Sequence, residues 1–355
     1  MRNNSERKIK VLICSVHFGA GHTAHLNAYN QLVTECGYES ALLLDKQYMN
    51  LFHKFNGIVF FSQEEAEKFR PDIVWIYNVG FEDIGVIKSF TKTKAKVVYV
   101  LHEPYMGFKD LCTEGSLIIR KAVANFVNFW ICNHVQNIIL CSSFAVKQAG
   151  KHLPNIMKKS SQFPLLFMDE MIPEMERKYF SVIGAFSHPH GSDLFLQFVK
   201  DSEEKNDISF QIATRTNIEE ILKDPILQRM INKGRLIVQQ GRPLTENEMN
   251  LAYRKSTCTW NGYRHCMQSG VLANSFMQGT PVMATHLGSF DEYVQDGKNG
   301  VFIDDFSYDS IFNAFQRVKG NMDEMVENAR NTFLTHFYYR NQEEKFKEIV
   351  EKLVK

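Results

Sequence analysis

The sequence predicts an α/β fold: two Rossmann-like domains in tandem, each a doubly wound parallel sheet. Three observations predict it. Short continuous apolar runs of the kind used by buried parallel strands recur along the chain, the first at 10–16 around Val11, Leu12 and Ile13. Helical patterns alternate with these runs. The alternation stops over 151–176, where Pro154, Pro164 and Pro173 interrupt any periodicity, and then restarts. A length of 355 residues suits two domains of roughly 150–180 residues each. They are placed at 1–170 and 176–335.

In the first domain the strand at 10–16 runs into Gly19, Ala20, Gly21 and His22. A helix is expected over 23–36, with Leu26, Tyr29, Leu32 and Val33 on one face and Gly37 as its stop. Further strands are expected at 40–44, 72–77, 96–101 and 137–142, with a helix opening at Ser143. Residues 64–71 are polar and end at Pro71, and 163–169 reads as the crossover between domains. In the second domain strands are expected at 179–184, 208–213, 235–239 and 258–260, and helices at 193–200, 218–222 and 246–254.

Residues 269–302 are the most informative. A loop at Gln268, Ser269 and Gly270 opens a helix that runs to Met277; Gly279 ends it, and Thr280 with Pro281 turns the chain into a short strand at 282–284. Gly288 and Ser289 make a second tight turn, and Asp296, Gly297, Asn299 and Gly300 lead into a strand at 301–302. Two glycine turns at the carboxyl ends of parallel strands bring backbone amides and a helix N-terminus to one crevice, where such a sheet holds a phosphorylated ligand. A terminal helix is expected over 341–354.

Charged residues make up 23% of the chain and the net charge is +1, so no global field draws it to nucleic acid. The seven cysteines, at 14, 36, 112, 132, 141, 258 and 266, are scattered and lack a Cys-x-x-Cys pair. That is the pattern of a reduced protein, neither a disulfide scaffold nor a zinc site. No Asp-x-Asp pair or cluster of metal ligands occurs, and no metal is expected. The polar start suggests no signal peptide, and no run reaches the ~18 apolar residues of a membrane span. The expectation is a cytoplasmic protein, with peripheral contact at the inner face of the cell membrane left open. The 28 Phe suit cores or a lipid-facing surface.

Gly279, Pro281, Val282, Ala284, Gly288, Glu292, Asp296, Gly297 and Gly300 fall in the order of a longer motif. With them the segment resembles the nucleotide-sugar-binding part of retaining glycosyltransferases of glycosyltransferase family 4. The resemblance covers nearly the whole chain and is specific in the second domain, weak in the first. It implies the GT-B architecture, two Rossmann-like domains facing across a cleft, with the first binding the acceptor and the second the sugar donor. It also implies that a final helix, 340–355, crosses back onto the first domain. The co-substrate would be a nucleotide diphosphate sugar, used without a metal or other cofactor.

Site residues follow from the resemblance and from the chemistry it demands. The free amides and positive dipole end near Gly270 suit the diphosphate, Ser269 could add a hydroxyl, and Gln268 lies in the same loop. The glycine loop with Gly19 and Gly21 resembles the family's loop on the other side of the sugar donor; its plainer reading is a strand-to-helix turn. The family's Arg and Lys after the first strand of the second domain are replaced by Ala185 and His190. His190 protonated beside phosphate is one substitute. Arg215, Arg242 and Arg264 are others, with Arg264 preferred for its closeness to Gln268. The family's two glutamates eight residues apart are here Cys266 and Asn274. Asn274 and Glu292 are assigned to the ribose, while Cys266 leaves the sugar contact to His265, to the amides of 267–270 or to elsewhere. His102, followed by Glu103 and Pro104, matches a His that lies beside the reacting sugar and is the catalytic candidate; His22 and His25 are secondary.

Residues 115–135 are apolar and aromatic with Arg120 and Lys121 near one end. They read either as an interfacial segment suited to a lipid-linked acceptor or as a core helix with capping charges. The function expected is retaining transfer of a sugar to a glycan or lipid-linked acceptor in bacterial surface polysaccharide synthesis. The lost Arg, Lys and Glu positions keep a second reading open, a sugar-nucleotide-binding partner subunit without catalysis. A third is a GT-B sugar-nucleotide epimerase.

Overall fold

The computed structural model describes residues 7–19, 22–49, 55–77, 81–102, 118–264, 266 and 268–355. The chain divides into two compact units: Met1–Met168 together with Phe337–Lys355, and Asp169–His336.

The first unit holds a seven-stranded sheet among the described residues, in the order β3-β2-β1-β4-β5-β6-β7. Its strands are β1 (Lys10–Ser15), β2 (Glu39–Leu44), β3 (Ile58–Phe60), β4 (Ile73–Ile76), β5 (Lys96–Leu101), β6 (Asn137–Leu140) and β7 (Ser160–Gln162). Neighbours pair in parallel, with Val11 opposite both Ser40 and Ile73. The period of two along each strand divides the apolar residues between two cores. Val11, Ile13, Trp75 and Val98 face one side, Leu12, Cys14, Ile76 and Tyr99 the other. Helices α1 (Thr23–Glu35), α2 (Gln63–Lys68), α3 (Phe81–Phe90), α4 (Ile118–His134) and α5 (Ser143–His152) connect the strands. Two edge strands escaped the sequence reading. β3 is three residues long and β7 is polar, because an edge strand is paired on one side and needs no long apolar run.

Among the described residues the second unit holds a six-stranded parallel sheet, β10-β9-β8-β11-β12-β13. These are β8 (Tyr179–Ile183), β9 (Ser209–Ala213), β10 (Leu236–Gln239), β11 (Ser256–Asn261), β12 (Val282–Ala284) and β13 (Gly300–Phe302). Its helices are α6 (Ser192–Asp201), α7 (Glu219–Leu222), α8 (Pro225–Asn232), α9 (Glu246–Arg254), α10 (Gly270–Met277), α11 (Phe290–Tyr293), α12 (Tyr308–Gly320) and α13 (Met322–His336). Much of the phenylalanine content is core here: the Phe180 ring lies 5.2 Å from Phe195 and 5.3 Å from Phe315. The sequence reading did not assign α12 or α13, although Ile311, Phe315 and Val318 bury one face of α12.

The chain then returns to the first unit. The Phe167 amide donates to the Phe337 carbonyl at 2.9 Å. A 3-10 turn at Tyr339–Gln342 occupies the expected start of the last helix, α14 (Glu343–Val354). Phe346, Val350 and Leu353 of α14 join the core that holds Leu26, Tyr29 and Trp75.

Candidate functional site

Both sheets change winding direction once. In the second unit the strand order reverses between β8 and β11, in the first between β1 and β4. Loops leaving the carboxyl ends of such strand pairs diverge and leave a crevice. Gly19, His190, Arg264, Gln268 and Ser269 lie on these loops.

After β8 the chain passes Gly184 (φ 99°), a 3-10 turn at His188–His190 and Gly191 (φ 64°) into α6. After β11 it passes Tyr263 and Arg264 to Ser269 and α10. The two loops are stitched together. The Arg264 amide donates to the Pro189 carbonyl at 2.8 Å, and the Trp260 indole N–H to the His190 carbonyl at 3.3 Å. Gly191 is required here: a Cβ would lie 2.0 Å from the Gly262 carbonyl oxygen.

α10 begins with Ser269 as N-cap in extended backbone, its hydroxyl accepting from the Leu272 amide at 3.3 Å. Ser269 therefore serves its own helix, although its hydroxyl also lies within hydrogen-bonding reach of Tyr263. The first two amides of α10, those of Gly270 and Val271, make no hydrogen bond among the described residues. Free amides on the positive end of a helix form an anion site. Gln268 stands just before the helix with its side-chain carbonyl buried and unbonded among the described residues. Asn274, one turn into α10, is in hydrogen-bonding contact with the buried Tyr253 hydroxyl. Glu292 lies half-buried on α11, beyond the carboxyl end of β12.

Two expected cations are engaged by neighbours. His190 bonds Ser187 Oγ through Nδ1 at 2.7 Å and packs edge-on against Tyr263 at 4.6 Å. Burial lowers its pKa below the ordinary imidazole value, so it is neutral near pH 7. Arg264 forks onto both carboxylate oxygens of Asp193 at 2.7 and 2.8 Å and donates to the His188 carbonyl. That hydrogen-bonded guanidinium holds the Asp193 carboxyl below its usual range, and the charge is compensated within the loop pair. Arg242 is likewise paired, with Glu248. Arg215, at the end of β9, is exposed. Cys266 is buried, whereas His265, Met267, Gly21, Glu103 and Pro104 lie outside the described residues.

In the first unit Gly19 is engaged as well. Its amide donates to the Tyr48 hydroxyl, which in turn donates to the Gly19 carbonyl, both at 3.0 Å. Its lack of a side chain serves His22: a Cβ would lie 2.5 Å from His22 Nδ1. His102, one residue past β5, donates from Nε2 to the Tyr77 carbonyl at 2.7 Å. A carbonyl only accepts, so this bond places a proton on Nε2. The Tyr77 ring touches three imidazoles, those of His102 (4.9 Å), His22 and His25 (both 5.5 Å). Burial, then the neighbouring imidazoles, lower His22 to about 4. Burial lowers His25 to about 3 against its Leu166 carbonyl bond, which raises it. The sequence reading kept His22 and His25 secondary and passed over Tyr77, which looked like strand filling. Tyr263 and Asp193 were missed too; only spatial neighbours reveal them. Among the described residues no group of three or more His, Cys, Asp or Glu is arranged to hold a metal.

Residues 177–321, nearly all of the second unit, match the family Glycosyl transferases group 1. Solved structures share the fold over the whole chain. A glycosyltransferase from Rickettsia africae is 12% identical with a TM-score of 0.71, covering 98% of this chain and 99% of its own. Sucrose-phosphate synthase from Thermosynechococcus elongatus is 10% identical with a TM-score of 0.76 at the same coverage. The Anabaena protein HepE, solved in complex with UDP, is 13% identical with a TM-score of 0.67, covering 98% of this chain and all of its own. No curated protein matches. The fold is GT-B, and the stretch similar to Glycosyl transferases group 1 lies within the second unit.

Proposed function

We propose that this chain is a retaining glycosyltransferase of family 4. It transfers a sugar from a nucleotide diphosphate sugar to a glycan or lipid-linked acceptor in bacterial surface polysaccharide synthesis. The observation that carries the proposal is the pair of unbonded amides at Gly270 and Val271, on the first turn of α10 at the switch point of the group 1 domain. The solved complexes of HepE with UDP and with UDP-glucose support a uridine nucleotide as the first ligand to try.

In this reading the Gly270 and Val271 amides take the charge that grows on the leaving diphosphate. They do so in place of the usual Arg and Lys, since His190 is neutral and Arg264 is compensated. Gln268 and Ser269 complete that wall, and Glu292 and Asn274 hold the ribose hydroxyls. The second unit takes the sugar donor and the first the acceptor. His102, held through Nε2 by the Tyr77 carbonyl, is the residue beside the reacting sugar. No metal or other cofactor is used. The test is incubation with UDP-, GDP- and ADP-sugars, reading nucleotide release with and without glycan acceptors and the anomeric configuration of the product. Transfer with inversion, or none with any sugar nucleotide, overturns it.

The replaced Arg, Lys and Glu positions favour one second reading, a partner subunit that binds sugar nucleotide without turning it over. Ligand-induced thermal stabilisation without nucleotide release would select it; a nucleotide at ~100 times its dissociation constant adds ~2.7 kcal/mol.

A membrane-borne acceptor has support of its own. α4 buries Val127, Ile131 and Cys132 on one face. On another it exposes Ile119 (75%), Val123 (38%), Phe126 (70%) and Phe129 (54%) at spacings of three and four. The helix carries Arg120 and Lys121 and no carboxylate, a charge suited to an anionic lipid surface. No described helix is long and apolar enough to cross a membrane.

A further inference from the structure

The two ends of α10 differ. Its first two amides are unbonded, whereas three arginines from distant parts of the second unit donate to the Met277 and Gln278 carbonyls at its C-terminal end. Arg330, on α13, donates to the Met277 carbonyl at 2.9 Å and is ion-paired with Asp169. Arg177, just before β8, donates to the Gln278 carbonyl at 2.7 Å. Arg254, the last residue of α9, donates to the same oxygen at 2.9 Å. Arg177 also donates to the Ser256 carbonyl and Thr280 Oγ1, so both its terminal nitrogens are engaged. The Gln278 side chain ties this end to the first residues of the unit, donating to the Glu170 carbonyl at 2.9 Å and accepting from the Ile172 amide at 3.1 Å. Gly279 (φ 63°) then turns the chain out.

Two guanidiniums on one carbonyl repel each other. They are held there by the negative end of the helix and, at longer range, by Glu174. Burial and then Arg254 lower Arg177 to about 10, so it stays charged at neutral pH. An eight-residue helix is ~12 Å long. A rigid rod of that length, pinned at one end by three planar forks, has its other end placed as well.

We propose that Arg177, Arg254 and Arg330 are positioning residues for the sugar-donor diphosphate, which they never touch. They fix α10 along its axis and so place the amides that face the phosphates. The inference rests on the reading of α10 as the diphosphate site, and it names the basic cluster that holds the far end of that helix.

Arg330 gives the cleanest test, since its side chain is partly exposed and its loss leaves no buried charge unpaired. The full chain and its Arg330→Met, Arg330→Lys and Arg177→Lys variants are titrated calorimetrically with UDP, GDP and ADP, and with uridine, guanosine and adenosine. For the base that wild type binds, Arg330→Met is expected to weaken the diphosphate about fivefold to thirtyfold and the nucleoside less than twofold. Arg330→Lys should recover part of the loss, and Arg177→Lys should show the same diphosphate-selective direction. General destabilisation would weaken both ligands together. Equal loss for nucleoside and diphosphate, or no loss for either, overturns the inference and leaves the site reading standing. A wild-type chain that binds none of the diphosphates overturns both.

Discussion

Gly270→Pro removes one hydrogen-bond donor from the proposed diphosphate site and leaves the helix intact. Gly270 is the first residue of α10, where a proline's missing N–H breaks no helical bond and its fixed φ fits. The residue before a proline must be extended, and Ser269 already is, at φ −136° and ψ 112°. A Cβ at 270 meets nothing within 4 Å. Folding stability should therefore hold or rise by ~0.4–1 kcal/mol, since the unfolded chain loses freedom. The bond removed is one from an amide to a charged oxygen, worth ~1.5–3 kcal/mol. Nucleoside diphosphate affinity should then fall about 10- to 150-fold, with nucleoside affinity little changed. Gly270→Ala, which keeps the N–H, is the control and should bind as wild type does. Calorimetric titration alongside chemical denaturation reads both quantities. A normally folded Gly270→Pro chain that binds the diphosphate within twofold of wild type would refute the amide site.

Three further outcomes are expected. Gly191→Ala should destabilise the second unit by ~3 kcal/mol or more, because it combines a left-handed φ of 64° with a methyl 2.0 Å from the Gly262 carbonyl oxygen; a urea midpoint equal to wild type would contradict the stitched loops. Stability should fall as pH drops below about 6.5, because unfolded histidines take up protons there while folded His22 and His25 resist until about 4 and 3. The slope of unfolding free energy against pH between 4 and 6.5 should flatten in His22→Gln, and an unchanged slope would show that His22 is not held neutral. Phe126→Ser with Phe129→Ser should lower cosedimentation with anionic vesicles at least tenfold and leave nucleotide binding unaltered; equal sedimentation would remove the lipid-facing role of α4.

The sequence by itself determined the two parallel sheets and the loops that carry the candidate site. Val11, Leu12 and Ile13 are apolar in succession because a strand covered on both faces must be, and Gly279, Pro281 and Gly288 mark turns only such backbones make. Those are local demands, met by neighbours in the chain. The short edge strands β3 and β7 left no such mark. What only the tertiary structure decided is which charges are free and which polar groups are spent. Arg264 read as a loose cation until Asp193, 71 positions away, took both branches of its guanidinium. His190 read as chargeable until burial against Tyr263 made it neutral. The amide of Gly19 belongs to Tyr48, and the arginines that close the far end of α10 come from three separate segments. The strength of a charge or an amide depends on what lies within a few ångströms of it, and folding brings together groups that the order of residues keeps far apart.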